Sequence, residues 1–144
     1  MKIKVKKLIE NAILPNIATA GDAGADLYCS SVNSIMLLSG ERKLVPTGIA
    51  IEIPYGYVGL VHPRSGLANK YGVSIVNTPG TIDSGYRGEL LINLINYGSS
   101  LYIISPGSRI AQLVIQKVEE PIYEFVEELS DSDRGIGGWG STGV

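Results

Sequence analysis

The 144-residue sequence contains one cysteine and one histidine, and each scarcity excludes a kind of chemistry. A lone thiol, Cys29, forms neither an intrachain disulfide nor a thiolate metal cluster, and it reads as a small buried apolar side chain. A lone imidazole, His62, rules out an H-E-x-x-H metal site, and its place before Pro63 in a strand-like run gives it a structural role. No Walker A sequence is present. Long apolar runs are missing too. None approaches the roughly 18 residues of a membrane span, so no membrane partner is expected. The lysine-rich opening, residues 1–8, leads into no apolar h-region and does not read as a signal peptide. Without an Asn-x-Ser/Thr acceptor or paired cysteines, a cytoplasmic, reducing compartment is expected. Nor is there an excess of positive charge. Twelve Lys and Arg stand against 14 Asp and Glu, giving a net charge of −2 and a pI near 5.4. A nucleic-acid partner wants a basic face and is not expected. A small anion remains possible, because a few placed arginines hold it whatever the total charge. The arginines are Arg42, Arg64, Arg87, Arg109 and Arg134.

What the chain does have is turn chemistry. Eighteen glycines and seven prolines are spread among short apolar runs, the pattern of a turn-rich β protein. Strands are expected at residues 2–6, 34–38, 47–53, 57–62, 73–77, 90–97, 101–104, 110–118 and 122–126. Alternation is clearest at Ile49, Ile51 and Ile53, with Ala50 and Glu52 facing the other way. Residues 90–95 are apolar on both faces, as in a strand buried between layers. No segment sustains a helical stripe for three turns. The best short helix is 65–71, started by a serine and stopped by Gly72. The expected fold is all-β, a jelly-roll-like sandwich or barrel with one short helix, in a single domain over residues 1–133. Residues 119–133 are acidic, and 134–144 are mostly glycine, serine and threonine around one tryptophan. Glycine maximises the entropy lost on ordering, so a flexible tail is expected there. The tryptophan is out of place in a merely solvating tail.

Three stretches invite a functional reading. Residues 135–140 satisfy G-x-G-x-x-G letter for letter, but that fingerprint must open a helix after a strand, and no acidic residue follows about 20 positions later. Residues 77–89, NTPGTIDSGYRGE, lie between two apolar strands as a long hairpin-like loop. Asp83, Tyr86 and Arg87 there supply a carboxylate, an aromatic plane and a cation, a set able to seat a base and sugar while holding a water. Asp83, Ser84 and Gly85 are equally ordinary turn-formers. Residues 63–68, PRSGLA, join a strand to the short helix, where backbone N–H groups, Arg64 and the Ser65 hydroxyl suit an anion.

Taken with AGDAGADLY at 20–28, GSRIAQL at 107–113 and RGIGGWGSTG at 134–143, these stretches resemble the five motifs of the homotrimeric, all-β dUTP pyrophosphatase (dUTPase) family, in that family's order. The resemblance implies hydrolysis of dUTP to dUMP and pyrophosphate, which limits uracil incorporation into DNA and supplies dUMP for thymidylate synthesis. It implies that Asp83 activates the water attacking the α-phosphorus. Mg²⁺ is the implied cofactor, carried on the triphosphate, with Asp26 reaching it through water and Gln112 holding phosphate or its waters. Asn77, Gly80, Thr81 and Ile82 would read the uracil edge, and Tyr86 would lie under the deoxyribose and exclude a 2′-hydroxyl. Arg64, Ser65 and Gly66 would line the α- and β-phosphates. The tail, residues 134–144, would close as a lid over the site of a neighbouring subunit in a homotrimer. Its Arg134 would reach the γ-phosphate and Trp139 would stack on uracil. Gly138 and Gly140 would lie against the substrate, with Ser141 and Thr142 on phosphate.

Two positions depart from the family pattern: Trp139 replaces the usual phenylalanine, and Gly85 stands where an acidic residue is frequent. Two other readings differ in outcome. A dCTP deaminase of the same fold would release ammonia, and a dUTPase-like shell used only for binding would release nothing.

Overall fold

Branched apolar residues alternate through Val45, Ile49 and Ile51, and this stretch forms the longest strand, β4 (Arg42–Glu52), in the computed structural model, which describes residues 1–138. The other strands are β1 (Lys4–Lys7), β2 (Gly24–Tyr28), β3 (Ile35–Leu37), β5 (Tyr57–His62), β6 (Val73–Ile75), β7 (Gly80–Ile82), β8 (Glu89–Asn96), β9 (Tyr102–Ile104) and β10 (Arg109–Lys117). They form two four-stranded sheets, β1-β4-β8-β6 and β2-β10-β5-β7, with β3-β9 as a separate pair. The first sheet contributes Val45, Ile51, Leu90, Ile92 and Leu94 to the core, and the second contributes Leu27, Val61, Ile110 and Leu113. Two inner faces packed this way make an open sandwich of the jelly-roll type rather than a closed barrel. Cys29 is buried, and that burial pushes its thiol pKa up, which keeps the thiol protonated and inert.

Several strands fall where the apolar pattern puts them, and five details differ. β2 was not expected, because its run of Gly, Ala and Asp carries little strand propensity; pairing with β10 makes it a strand. β7 lies inside the stretch expected to be loop, held by pairing with β5. β8 is buried on one face only: Leu91 is exposed while Leu90, Ile92 and Leu94 point inward. Ala50 is buried instead of facing outward, flanked by Lys6 of β1 and Glu89 of β8. The strand expected at 122–126 does not form. Ile122 and Phe125 are 96% and 108% exposed, with no ladder partner among the described residues.

The helix α1 (Ser65–Tyr71) has the expected bounds, but Arg64, not the serine, occupies the N-cap, and no side chain caps it. Gly72 ends the helix in the left-handed region at φ 71° and donates its N–H to Ala68 O. A Cβ on Gly72 would lie 2.5 Å from the Gly98 nitrogen, so both conformation and space require glycine. Beside it the fully buried Asn96 closes one end of the sandwich. Its Nδ2 donates to Leu37 O at 2.9 Å and Ser100 O at 2.8 Å, and its Oδ1 accepts the Gly98 N–H at 2.9 Å.

Candidate active site

Strand register gathers the first half of the site. Gln112 of β10 lies opposite Asp26 of β2 on one side and opposite His62 of β5 on the other, so all three side chains share one face of the sheet. A register shift between Arg109 and Ala111 re-aims β10, which brings Arg109 to the same face despite its odd spacing from Gln112. Arg64 and Ser65 follow directly from the end of β5. These residues line a cavity of about 370 Å³, bounded at its edge by Asp22 and Ala23 of the preceding loop and Gly24 at the start of β2. Within it Arg64 Nε donates to Asp26 Oδ1 at 3.0 Å and Arg109 Nη1 to Asp26 Oδ2 at 3.3 Å. Gln112 Nε2 donates to Pro63 O at 3.0 Å. Asp26 is 9% exposed, so a nearly buried carboxylate sets the position of two cations whose combined charge exceeds its own. The result is an anion cradle.

The second half lies elsewhere. Asn77, Gly80, Thr81 and Ile82 line a smaller cavity with Val61 of β5 and residues 90–93 of β8. Val61 and His62 are consecutive in β5, so their side chains leave opposite faces of the sheet. The cradle and the smaller cavity therefore open on different sides of one strand. Asp83 follows β7 and is exposed, and its carbonyl accepts the Tyr86 N–H at 3.1 Å. Tyr86 Oη donates to Glu89 O at 2.9 Å, and Arg87 Nη1 donates to Ser84 O at 2.6 Å and Tyr86 O at 2.8 Å. This bracing gives the turn a fixed shape.

Of the residues singled out in the sequence, Asp26, Arg64, Ser65, Gly66 and Gln112 meet in the cradle, and Asn77, Gly80, Thr81 and Ile82 meet in the smaller cavity. Asp83 and Tyr86 sit just beyond β7, outside both cavities. Arg134 and Gly138 are exposed in the tail, where Arg134 Nε donates to Gly137 O at 2.9 Å, and neither reaches the cradle in this chain. Trp139, Gly140, Ser141 and Thr142 lie outside the described residues. The sequence names Arg109 among five arginines able to hold an anion but gives it no place in the site, and it gives His62 a structural role, yet both line the cradle. Arg109 was signalled by its charge and its place in the 107–113 stretch, and His62 by nothing short of the register.

Among the described residues no three His, Cys, Asp or Glu side chains gather into a metal-binding group. Asp26 is already shared by two guanidinium groups. This donor set suits a cation carried in on an anionic ligand and does not suit a cage of direct protein ligands.

An all-β sandwich with an arginine cradle on one face defines a protein that receives a small polyanion. The dUTPase family model matches residues 10–143. The chain is 53% identical to the deoxyuridine 5′-triphosphate nucleotidohydrolase of Syntrophotalea carbinolica, over 98% of this chain and 96% of that one. It is 52% identical to that of Clostridioides difficile, over 98% and 97%. Among solved structures it is similar to a mutant dUTPase of Staphylococcus bacteriophage 80alpha with dUpNHpp, at a TM-score of 0.88, 34% identity and 99% coverage of both chains. It is also similar to a mutant dUTPase of S. aureus phage phi11, described with a structural Mg(II) ion, at a TM-score of 0.80, 32% identity and coverage of 89% and 98%. The chain belongs to the dUTPase family.

Proposed function

We infer that this protein hydrolyses dUTP to dUMP and pyrophosphate by attack of water on the α-phosphorus. The observation that carries the reading is the cradle: Arg64, Arg109 and Gln112 ordered around Asp26, in a cavity with room for phosphate groups. Arg64, Ser65, Gly66 and Gln112 take the phosphates, and the guanidinium groups offset their charge. Asn77, Gly80, Thr81 and Ile82 read the uracil edge, where unpaired buried groups reject a wrong base. Tyr86 lies under the deoxyribose. Asp83 orients the water and accepts its proton as the bond to the α-phosphorus forms and the bond to pyrophosphate breaks. Asp26 would reach Mg²⁺ through water while Gln112 holds phosphate or its waters, and the ion, carried on the triphosphate, would supply charge neutralisation for the departing pyrophosphate.

The site is complete only between copies of the chain, in a homotrimer. Two observations support this: cradle and smaller cavity open on opposite faces of β5, and Ile122, Tyr123 and Phe125 stand uncovered in a single chain. Residues 134–144 form the lid of a neighbouring site. Arg134 takes the γ-phosphate, Trp139 stacks on uracil, Gly138 and Gly140 let the backbone lie close, and Ser141 and Thr142 bond phosphate. Stacking of a base on an aromatic ring contributes about 1–3 kcal/mol, which offsets part of the ordering entropy of such a segment.

The test is pyrophosphate release in the presence of Mg²⁺ from dUTP, dCTP, dTTP and UTP. Release from dUTP alone is expected. Ammonia from dCTP, or no product from any of the four with folded protein, would overturn the reading.

A further inference from the structure

We propose that Gly88 is a specificity-determining residue that acts through Tyr86: the absence of a side chain at position 88 creates the seat in which the phenol ring lies. The inference rests on the reading of Tyr86 as the wall beneath the deoxyribose.

A glycine is required either by conformation or by space. Gly88 is not in the left-handed region, so its backbone suits any residue. Space is the reason that remains. A Cβ at position 88 would overlap Tyr86 Oη and would lie 2.6 Å from Cζ and 3.0 Å from Cε2 of the same ring. The three nearest atoms all belong to that one side chain, so an alanine there must displace the Tyr86 ring. The ring is also fastened where it lies, through Oη to Glu89 O at 2.9 Å, and the preceding turn is braced by Arg87 on Ser84 O and Tyr86 O. A ring pushed from this seat loses the Glu89 bond and swings toward solvent, to which it is already 43% exposed. Gly85, three positions earlier, is the contrast. It has neither left-handed backbone nor any atom within 4 Å of a Cβ, so its substitution disturbs nothing.

Exclusion of a 2′-hydroxyl by a rigid wall depends on where the wall stands. Displacing the ring opens the space that a ribose hydroxyl would fill, and the enzyme then accepts UTP.

The experiment compares kcat/KM for dUTP and UTP in the full-length wild-type protein, Gly88→Ala, Tyr86→Ala, the double variant and Gly85→Ala. The dUTP-to-UTP ratio is expected to fall about tenfold or more in Gly88→Ala, the scale of selectivity that a change of pocket shape controls. The same fall is expected in Tyr86→Ala, with no further fall in the double variant and a wild-type ratio in Gly85→Ala. An unchanged ratio in Gly88→Ala beside a lowered ratio in Tyr86→Ala overturns the inference and leaves the reading of Tyr86 standing. An additive fall in the double variant, or an equal fall in Gly85→Ala, overturns it too. A wild-type ratio in Tyr86→Ala removes the reading of Tyr86 and the inference with it. If Gly88→Ala alone does not fold, recovery of folding in the double variant supports the ring as the obstacle, and continued failure overturns it.

Discussion

Asp26 and Asp83 are both carboxylates in motif stretches, and their surroundings separate their roles. Asp26 is nearly buried and spends both oxygens on Arg64 and Arg109, so it positions cations. Asp83 is exposed beyond β7 and makes no ion pair among the described residues, so its oxygens are available to a water. Asp83→Asn keeps the shape and removes the base. We expect it to bind a non-hydrolysable dUTP analogue with nearly unchanged affinity and to lower kcat by about 10²–10⁴-fold, measured by titration and steady-state pyrophosphate release. A kcat close to wild type would take the base role away from Asp83. The types of these residues could be read in the sequence, as could their association with turns. Which carboxylate would be enclosed could not, because that depends on Arg109 arriving by way of a bulge that no residue pattern announces.

The elements were legible in proportion to the apolar area they bury. β4, β5 and β10 alternate strongly and fall near their expected places, as does α1 with its glycine stop. β2 and β7 were hidden because pairing with β10 and β5 makes them strands, and their own residues do not. Residues 122–126 fail in the opposite sense: the alternation is present and the partner is not, since a strand needs a ladder as well as a pattern. Where elements meet, one side chain holds the junction. Asn96 satisfies carbonyls at the end of β3 and before β9 from a fully buried position in β8. Asn96→Ala leaves those groups buried without a partner and should destabilise the fold by about 1–3 kcal/mol in urea unfolding, with the m-value unchanged. A loss below about 0.5 kcal/mol would show that the junction is held by other contacts.

On the scale of the molecule, β5 acts as a partition. Val61 faces the cavity that carries Asn77, Gly80, Thr81 and Ile82, and His62 faces the arginine cradle, so the two cavities open on opposite sides of one strand. That partition was beyond the reach of the sequence, which shows five motif stretches in order but not the faces on which the fold displays them. In the proposed homotrimer, a closed ring of identical chains would bring the cradle of one copy to the loop of the next. The most direct measurement is therefore complementation by two inactive variants, Asp83→Asn with an intact cradle and Arg64→Ala with an intact Asp83. They are unfolded together at equal concentration, refolded, and assayed for pyrophosphate release from dUTP. Random assembly of shared sites predicts recovery of about a quarter of the wild-type activity. Mixed oligomers with no activity above that of the separate variants would contradict a dUTP-hydrolysing site completed by a second copy of the chain.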